Sequence, residues 1–252
     1  CHPRPAYAKE YFGENFTQDE TYYILDCEPD ASVYLGFQDS INRDKFETAL
    51  IEAQETGIEM DVEKYVQKFP SHKHDLFLIP NGTIHASGVN NLVLEISSTP
   101  YIFTFKKYDW QRPGLNGQPR PINIEHAMNN LYFDRKGDYV PKKLISHPVT
   151  ESEWPEGRKL LLPTHEEHFY SVHRYEFTGS VSINTKNQCH ICMLVEGKSV
   201  TVKKGENSYH FHYAETFVIP AAADIYELIS NSNEKAFVVV AQVKDDHCSI
   251  RS

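Results

Sequence analysis

Short stretches of alternating or continuous apolar residues dominate this chain, and few of its runs carry helical spacing. Bounded by Gly, Pro, Asn and Asp, these stretches predict strands over 22–25, 33–37, 76–79, 83–86, 92–97 and 102–108. A second group is predicted over 169–177, 191–196, 199–203, 216–219, 226–229 and 236–243. One clear helix is expected where Phe46, Ala49, Leu50 and Ala53 share a face, with Asn42 as N-cap and Gly57 as stop. Shorter helices are expected over 62–69 and 123–130. Between 141 and 163 the prolines Pro141, Pro148, Pro155 and Pro163 interrupt a stretch with little periodicity, so the chain is expected to divide into domains 1–145 and 146–252. Many short strands with few helices predict a mainly β fold, a barrel or jelly roll rather than a parallel α/β sheet.

One corner stands out in this pattern. The apolar run Asp75-Leu-Phe-Leu-Ile-Pro80 stops at Asn81-Gly82, and a short strand then presents His85. A lone His on a strand is more often a hydrogen-bonded structural residue than a ligand. The corner has an echo in Glu215-Thr-Phe-Val-Ile-Pro220, which again joins an acid, an apolar strand and a terminal Pro. There Ala221-Ala-Ala follows, and Ile225 or Tyr226 stands where the first copy has His85. Two related β-units are expected, the second without the His.

Composition narrows the function classes. The 252 residues are 40% hydrophobic and 24% charged, without a run of about eighteen apolar residues that could cross a bilayer, so no membrane partner is expected. A net charge of −10 with dispersed Lys and Arg argues against a nucleic-acid surface. An anionic substrate therefore needs a local cationic pocket. Five cysteines at irregular spacing suit a reducing cytoplasm. Cys189 and Cys192 have the spacing of a redox or zinc pair but lack a second pair, and are read as structural.

Candidate chemistry lies in the first half. His2, Glu20 and His85 would form a ligand set if the fold brings them together, and imidazole with carboxylate suits Zn²⁺, or less selectively Mn²⁺, Fe²⁺ or Co²⁺. His210, His212 and Glu215 are a weaker candidate set, with solvent-exposed histidines as the ordinary alternative. Glu95, between Leu94 and Ile96, faces either a polar interior or solvent. Lys106, Lys107, Asp109 and Arg112 follow, and alternation lets only some of them face one cavity.

In order along the chain, His2-Pro3, Glu20-Thr-Tyr-Tyr-Ile, Ile79-Pro-Asn-Gly-Thr-Ile-His85-Ala, Leu94-Glu-Ile96 and Tyr108-Asp109 resemble the pattern of type I mannose-6-phosphate isomerases of the cupin superfamily. The resemblance is specific over about residues 1–125 and looser beyond Pro163. It implies a double cupin of jelly-roll barrels with a short helical insertion, the second barrel vestigial. It also implies a zinc site in which His2, Glu20 and His85 match three of four ligands. The fourth, a Gln in a Gln-x-His-Pro motif, would precede Cys1, so the chain is expected to be a fragment lacking an N-terminal part. Two departures stand out: Gln18 where the family has Lys, and Lys106 where it has Arg, which loses the planar fork suited to phosphate. The implied function is metal-dependent interconversion of mannose 6-phosphate and fructose 6-phosphate, or a related sugar, through an enediol. In it Lys106 would steady the substrate or oxyanion, and Glu95 is a candidate base. The alternative is a non-catalytic sugar-sensing cupin attached to an upstream domain.

Overall fold

The computed structural model describes residues 1–99, 104–118 and 120–244. They form two compact units, Cys1–Ile145 and Ser146–Ser252, both built from antiparallel sheets.

The first unit runs α1 (Pro5–Phe12), β1 (Asp19–Cys27), β2 (Ser32–Phe37), α2 (Arg43–Thr56), β3 (Val66–Pro70), β4 (Leu76–Ile79), β5 (His85–Ser87), β6 (Asn91–Ser98), α3 (Ile124–Asn130) and α4 (Tyr139–Lys143). Two three-stranded sheets result, ordered β4-β1-β6 and β3-β2-β5. Alternation along β1 puts Glu20, Tyr22 and Ile24 on one face. Ile24 packs there with Val33 and Leu35 of β2, Phe77 and Ile79 of β4, and Val140 and Leu144 from the α4 region. α2 begins where Asn42 Oδ1 accepts the Lys45 N–H at 2.9 Å and ends at Gly57 in the left-handed region, as its capping residues dictate. Its face of Phe46, Leu50 and Ala53 is buried, and the first two join Phe37, Ile84 and Met128 in a second core cluster.

The second unit runs β7 (Val149–Trp154), β8 (Gly157–Leu162), β9 (Tyr170–Phe177), β10 (Ser180–Asn184), β11 (His190–Glu196), β12 (Ser199–Lys204), β13 (Asn207–His212), β14 (Thr216–Ile219), β15 (Ile225–Ser230) and β16 (Ala236–Val243). Its sheets are ordered β10-β15-β12-β13 and β14-β11-β16-β9-β8-β7. Phe177, Leu194, Val200, Phe217, Leu228 and Val238 belong to its core.

Three expectations need correction. The helix over 62–69 is a single 3₁₀ turn, Val62–Lys64, followed by β3. Val62, Tyr65, Val66 and Phe69 fit a helical period, but cross-strand pairing of Val66 with Phe37 and of Phe69 with Val33 decides the outcome. The proline-rich stretch of 141–163 is not all linker, because it holds the β7–β8 hairpin. β7 is exposed at nearly every position, so the hairpin leaves no apolar alternation to read. The strand expected over 102–108 is absent from 104–108, and its first two residues lie outside the described ones. No helix among the described residues is long and apolar enough to cross a membrane.

The corner between β4 and β5 depends on Gly82. It has φ 71°, and a Cβ there would lie 2.7 Å from the Asn130 carbonyl oxygen and against the Tyr132 ring. Gly82→Ala is therefore expected to cost about 2 kcal/mol or more, read as a lower urea midpoint at unchanged slope. A loss under about 0.5 kcal/mol would show that the corner relaxes freely.

Candidate metal centre

The same corner carries His85 and holds the segment that carries His2. Arg135 is buried and donates to the Pro80 carbonyl (3.1 Å), the Asn81 carbonyl (2.6 Å) and Thr83 Oγ1 (2.6 Å). From the other side Asp19 Oδ1 accepts from the Asn81 backbone N–H (2.7 Å) and side-chain amide (3.1 Å). Gly82 N–H donates to the His2 carbonyl at 3.0 Å, so the segment that carries His2 is tied to the turn that launches His85. β5 then pairs with β2, setting His85 opposite Leu35, while β1 sets Glu20 opposite Ile79 on β4 and Ser97 on β6. One sheet thus delivers the carboxylate and the other the imidazole.

The three predicted ligands meet. Glu20 Oε2 lies 3.2 Å from His2 Nε2, and Glu20 Oε1 lies 3.1 Å from His85 Nε2. The two imidazole rings stack with centroids 5.1 Å apart. One ligand atom from each residue falls within 4.8 Å of the others, the one such group among the described residues. All three side chains are at most 5% exposed.

His85 Nδ1 lies 2.9 Å from the Thr83 carbonyl, which can only accept, so the ring proton is assigned to Nδ1 and the Nε2 lone pair faces Glu20. Burial, working against the pull of Glu20, lowers the His85 pKa to about 4. Burial pushes the Glu20 carboxyl up, but the imidazoles of His85 and His2 outweigh it and hold the group below the usual carboxylate range. An ionised carboxylate thus faces a neutral imidazole lone pair, two acceptors at contact distance. Glu20 Oε1 is buried and accepts no hydrogen bond. A cation between these atoms resolves the conflict, and the N,N,O donor set suits zinc or a similar divalent metal.

The surroundings orient this group. Gln18 Nε2 donates to Glu20 Oε2 at 2.9 Å and to Glu95 Oε1 at 3.1 Å, bridging two carboxylates with one amide. Glu95 is exposed on β6, opposite Tyr22. The Tyr22 ring meets His85 edge-on at 5.9 Å. Burial, followed by the charges of Glu20 and Glu95, raises the Tyr22 phenol so that it stays protonated.

A cavity of about 60 Å³ beside His85 is lined by Tyr34, Ile84, Lys107, Tyr108 and Trp110. Burial lowers the Lys107 ammonium pKa to about 8. Lys106 reaches Asp109 at 3.6 Å and does not line this cavity. Sequence reasoning did not single out Arg135, and the resemblance gave the substrate-side role to Lys106, whereas it is Lys107 that lines this cavity. Gln18 had been marked only by the resemblance, as the residue standing where the family has Lys.

The other candidates do not assemble. His212 Nδ1 lies 3.4 Å from Glu215 Oε2 on the exposed rim of β13, and His210 lies within 3.0 Å of Thr201 Oγ1. Cys189 and Cys192 are free thiols, the first exposed and the second buried.

No family model matches the chain. Curated relatives include the mannose-6-phosphate isomerase ManA of Bacillus subtilis, 24% identical over 228 residues covering 90% of this chain and 66% of the relative. The mannose-6-phosphate isomerase of Streptococcus mutans is 23% identical over 241 residues, 92% of this chain and 69% of the relative. The chain spans about two thirds of the length of the curated relatives it matches, 64% for two of those from Bacillus subtilis. Among solved structures, the mannose 6-phosphate isomerase of Bacillus subtilis superposes with a TM-score of 0.76 at 23% identity, over 96% of this chain and 70% of that one. A mutant phosphomannose isomerase from Salmonella typhimurium gives 0.68 at 13% identity, over 96% and 74%. The fold is therefore the cupin-like fold of these isomerases.

His85 titrates near 4 when folded, against 6.5 for the ordinary side chain. Between these values the unfolded metal-free chain binds the extra proton, so this contribution to stability is lost as pH falls from about 6.5 towards about 4. Urea unfolding of metal-free protein near pH 7 and near pH 5 is expected to show a larger loss for the wild type than for His85→Asn. Equal losses would contradict the depressed pKa.

Proposed function

We propose that this chain, which belongs to the mannose-6-phosphate isomerase family, forms the metal-bearing part of an aldose–ketose isomerase. Its substrates are mannose 6-phosphate and fructose 6-phosphate, and it works in the cytoplasm. The observation that carries this reading is the buried carboxylate held between two imidazoles, Glu20 at 3.1–3.2 Å from His85 and His2.

His2 and His85 hold the ion as neutral nitrogen donors and Glu20 as the anionic one. When bound, a divalent metal supplies Lewis acidity that stabilises negative charge developing on the sugar oxygens. The chain's own residues do the rest. The Thr83 carbonyl fixes the His85 tautomer, so Nε2 presents its lone pair inward. Gln18 holds Glu20 in orientation and ties it to Glu95. Glu95, exposed and on the same face as Tyr22, takes the proton from one of the two carbons that become the enediol and returns it to the other. The buried Lys107 ammonium adds positive potential beside the site, and aromatic walls from Tyr34, Tyr108 and Trp110 limit water. We read 146–252 as a second, cupin-like domain without this ligand set.

The test uses the full-length protein loaded with zinc. It is expected to interconvert mannose 6-phosphate and fructose 6-phosphate and to incorporate solvent deuterium at the transferred position, as NMR would show. Glu95→Gln is expected to lower kcat by about 100-fold or more with little change in KM. Metal-loaded protein that turns over neither mannose 6-phosphate nor free mannose would overturn the isomerase reading and favour a non-catalytic sugar sensor.

A further inference from the structure

The second unit holds a cavity of about 620 Å³, against about 60 Å³ beside His85 in the first. Its volume lies within the roughly 300–1,000 Å³ of ordinary small-molecule pockets. β13 is the edge of one sheet and β14 the edge of the other, and the chain crosses between the sheets over residues 213–215. The cavity occupies this fork. Val202 of β12 and Phe211 of β13 wall one side, Phe217 and Ile219 of β14 the other, and Tyr226 of β15 closes it towards the core.

Local structure makes this space and holds it open. The β12–β13 register pairs Val200 with Phe211, Val202 with Tyr209 and Lys204 with Asn207, so one face of the hairpin runs from apolar at the fork to polar at its tip. The Ala214 N–H donates to the Leu194 carbonyl at 2.9 Å, and Glu215 Oε2 accepts the His212 N–H at 2.6 Å, which fixes the crossing. Across the fork the Phe211 and Phe217 rings stack with centroids 4.2 Å apart. The corner after β14 lines the cavity with the short side chains Ala222 and Ala223, which leave the volume unfilled.

The chemistry of the walls selects the occupant. A hydroxyl-rich sugar would bury many polar groups against side chains that cannot pair with them. The polar groups gather instead at one end, where the Lys204 ammonium and the Asn207 amide sit on the rim, and neither Asp nor Glu lines the cavity. Lys204 is exposed and makes no ion pair among the described residues. A lysine on the inner face of an edge hairpin also opposes the addition of a further apolar strand. Charge complementarity therefore favours a small molecule with an apolar body and one negative head.

We propose that this cavity binds an amphipathic monocarboxylate, alkyl or aryl, with its body between Val202 and Phe217 and its carboxylate at Lys204. The site is independent of the metal centre and of the isomerase reading. Lys204 lies outside the core, so its substitution tests the head group without disturbing the walls.

Methyl-resolved NMR of the full-length protein, titrated with octanoate, hydrocinnamate or neutral octanol, reads the site through Val202, Val218 and Ile219. At least one carboxylate is expected to shift these methyls with a Kd on the order of 1 mM or below, and the tighter of the two identifies the body as alkyl or aryl. Lys204→Ala is expected to weaken carboxylate binding by about two- to fivefold, the scale of an exposed ion pair, and to leave octanol unchanged. Ala222→Trp, which adds a ring to an exposed wall, is expected to abolish binding of all three ligands at unchanged metal content. Failure of both carboxylates to shift these methyls would overturn the proposal, and so would carboxylate binding that Lys204→Ala leaves unchanged. Self-association of the wild type that Ala222→Trp abolishes would assign the cavity to a second copy of the chain and overturn it as well.

Discussion

Glu20 carries a negative charge into the space between two sheets, where an ion left unpaired costs several kcal/mol. The first unit is arranged around that cost. Two imidazoles reach the carboxylate, one carried by the clamped corner and one by a segment bound to it, because Gly82 binds the backbone of His2 and the same turn leads into His85. Arg135 and Asp19 grip that corner from opposite sides, so the position of both nitrogen donors is set by backbone contacts rather than by side-chain packing alone. With Thr83 taking the Nδ1 proton of His85, what remains at the centre is an acceptor facing an acceptor. A cation bound between them would relieve this opposition.

The second unit uses the same corner for a different end. β14 stops at Pro220, a 3₁₀ turn of Ala221–Ala223 replaces Asn81–Thr83, and buried Tyr226 follows. The Tyr226 hydroxyl meets His190 Nδ1 at 3.0 Å, and its ring joins the core with Phe217 and Leu228. A phenol paired with one imidazole satisfies its own hydrogen bond and leaves no anionic donor facing the ring. The corner there serves packing, whereas in the first unit it serves an unbalanced charge.

Much of this was legible from residue order. Gly82 at the turn, the alternation of Glu20 and Tyr22 along β1 and the α2 caps Asn42 and Gly57 follow from local rules. The meeting of His2, Glu20 and His85 came instead from the motif resemblance, since spacing alone does not bring three distant segments together. What stayed hidden was tertiary. Val62–Phe69 carries a helical period but is drawn into pairing with β2, and the β7–β8 hairpin is too exposed to show alternation. Arg135 lies more than fifty residues from the corner it clamps, and nothing near it in the chain marks it as buried. Lys106 and Lys107 are adjacent, so alternation said that only one faces the cavity beside His85, and only the structure says which.

The central claim is that Glu20, His2 and His85 form one metal centre. Elemental analysis of the full-length protein, purified without added chelator, tests it most directly. The account predicts about one divalent ion per chain, bound by the wild type and lost to below about a tenth of an equivalent in both Glu20→Gln and His85→Gln that remain folded. Full metal occupancy in those variants, or a folded wild type that binds no divalent ion even when zinc is supplied, would contradict it.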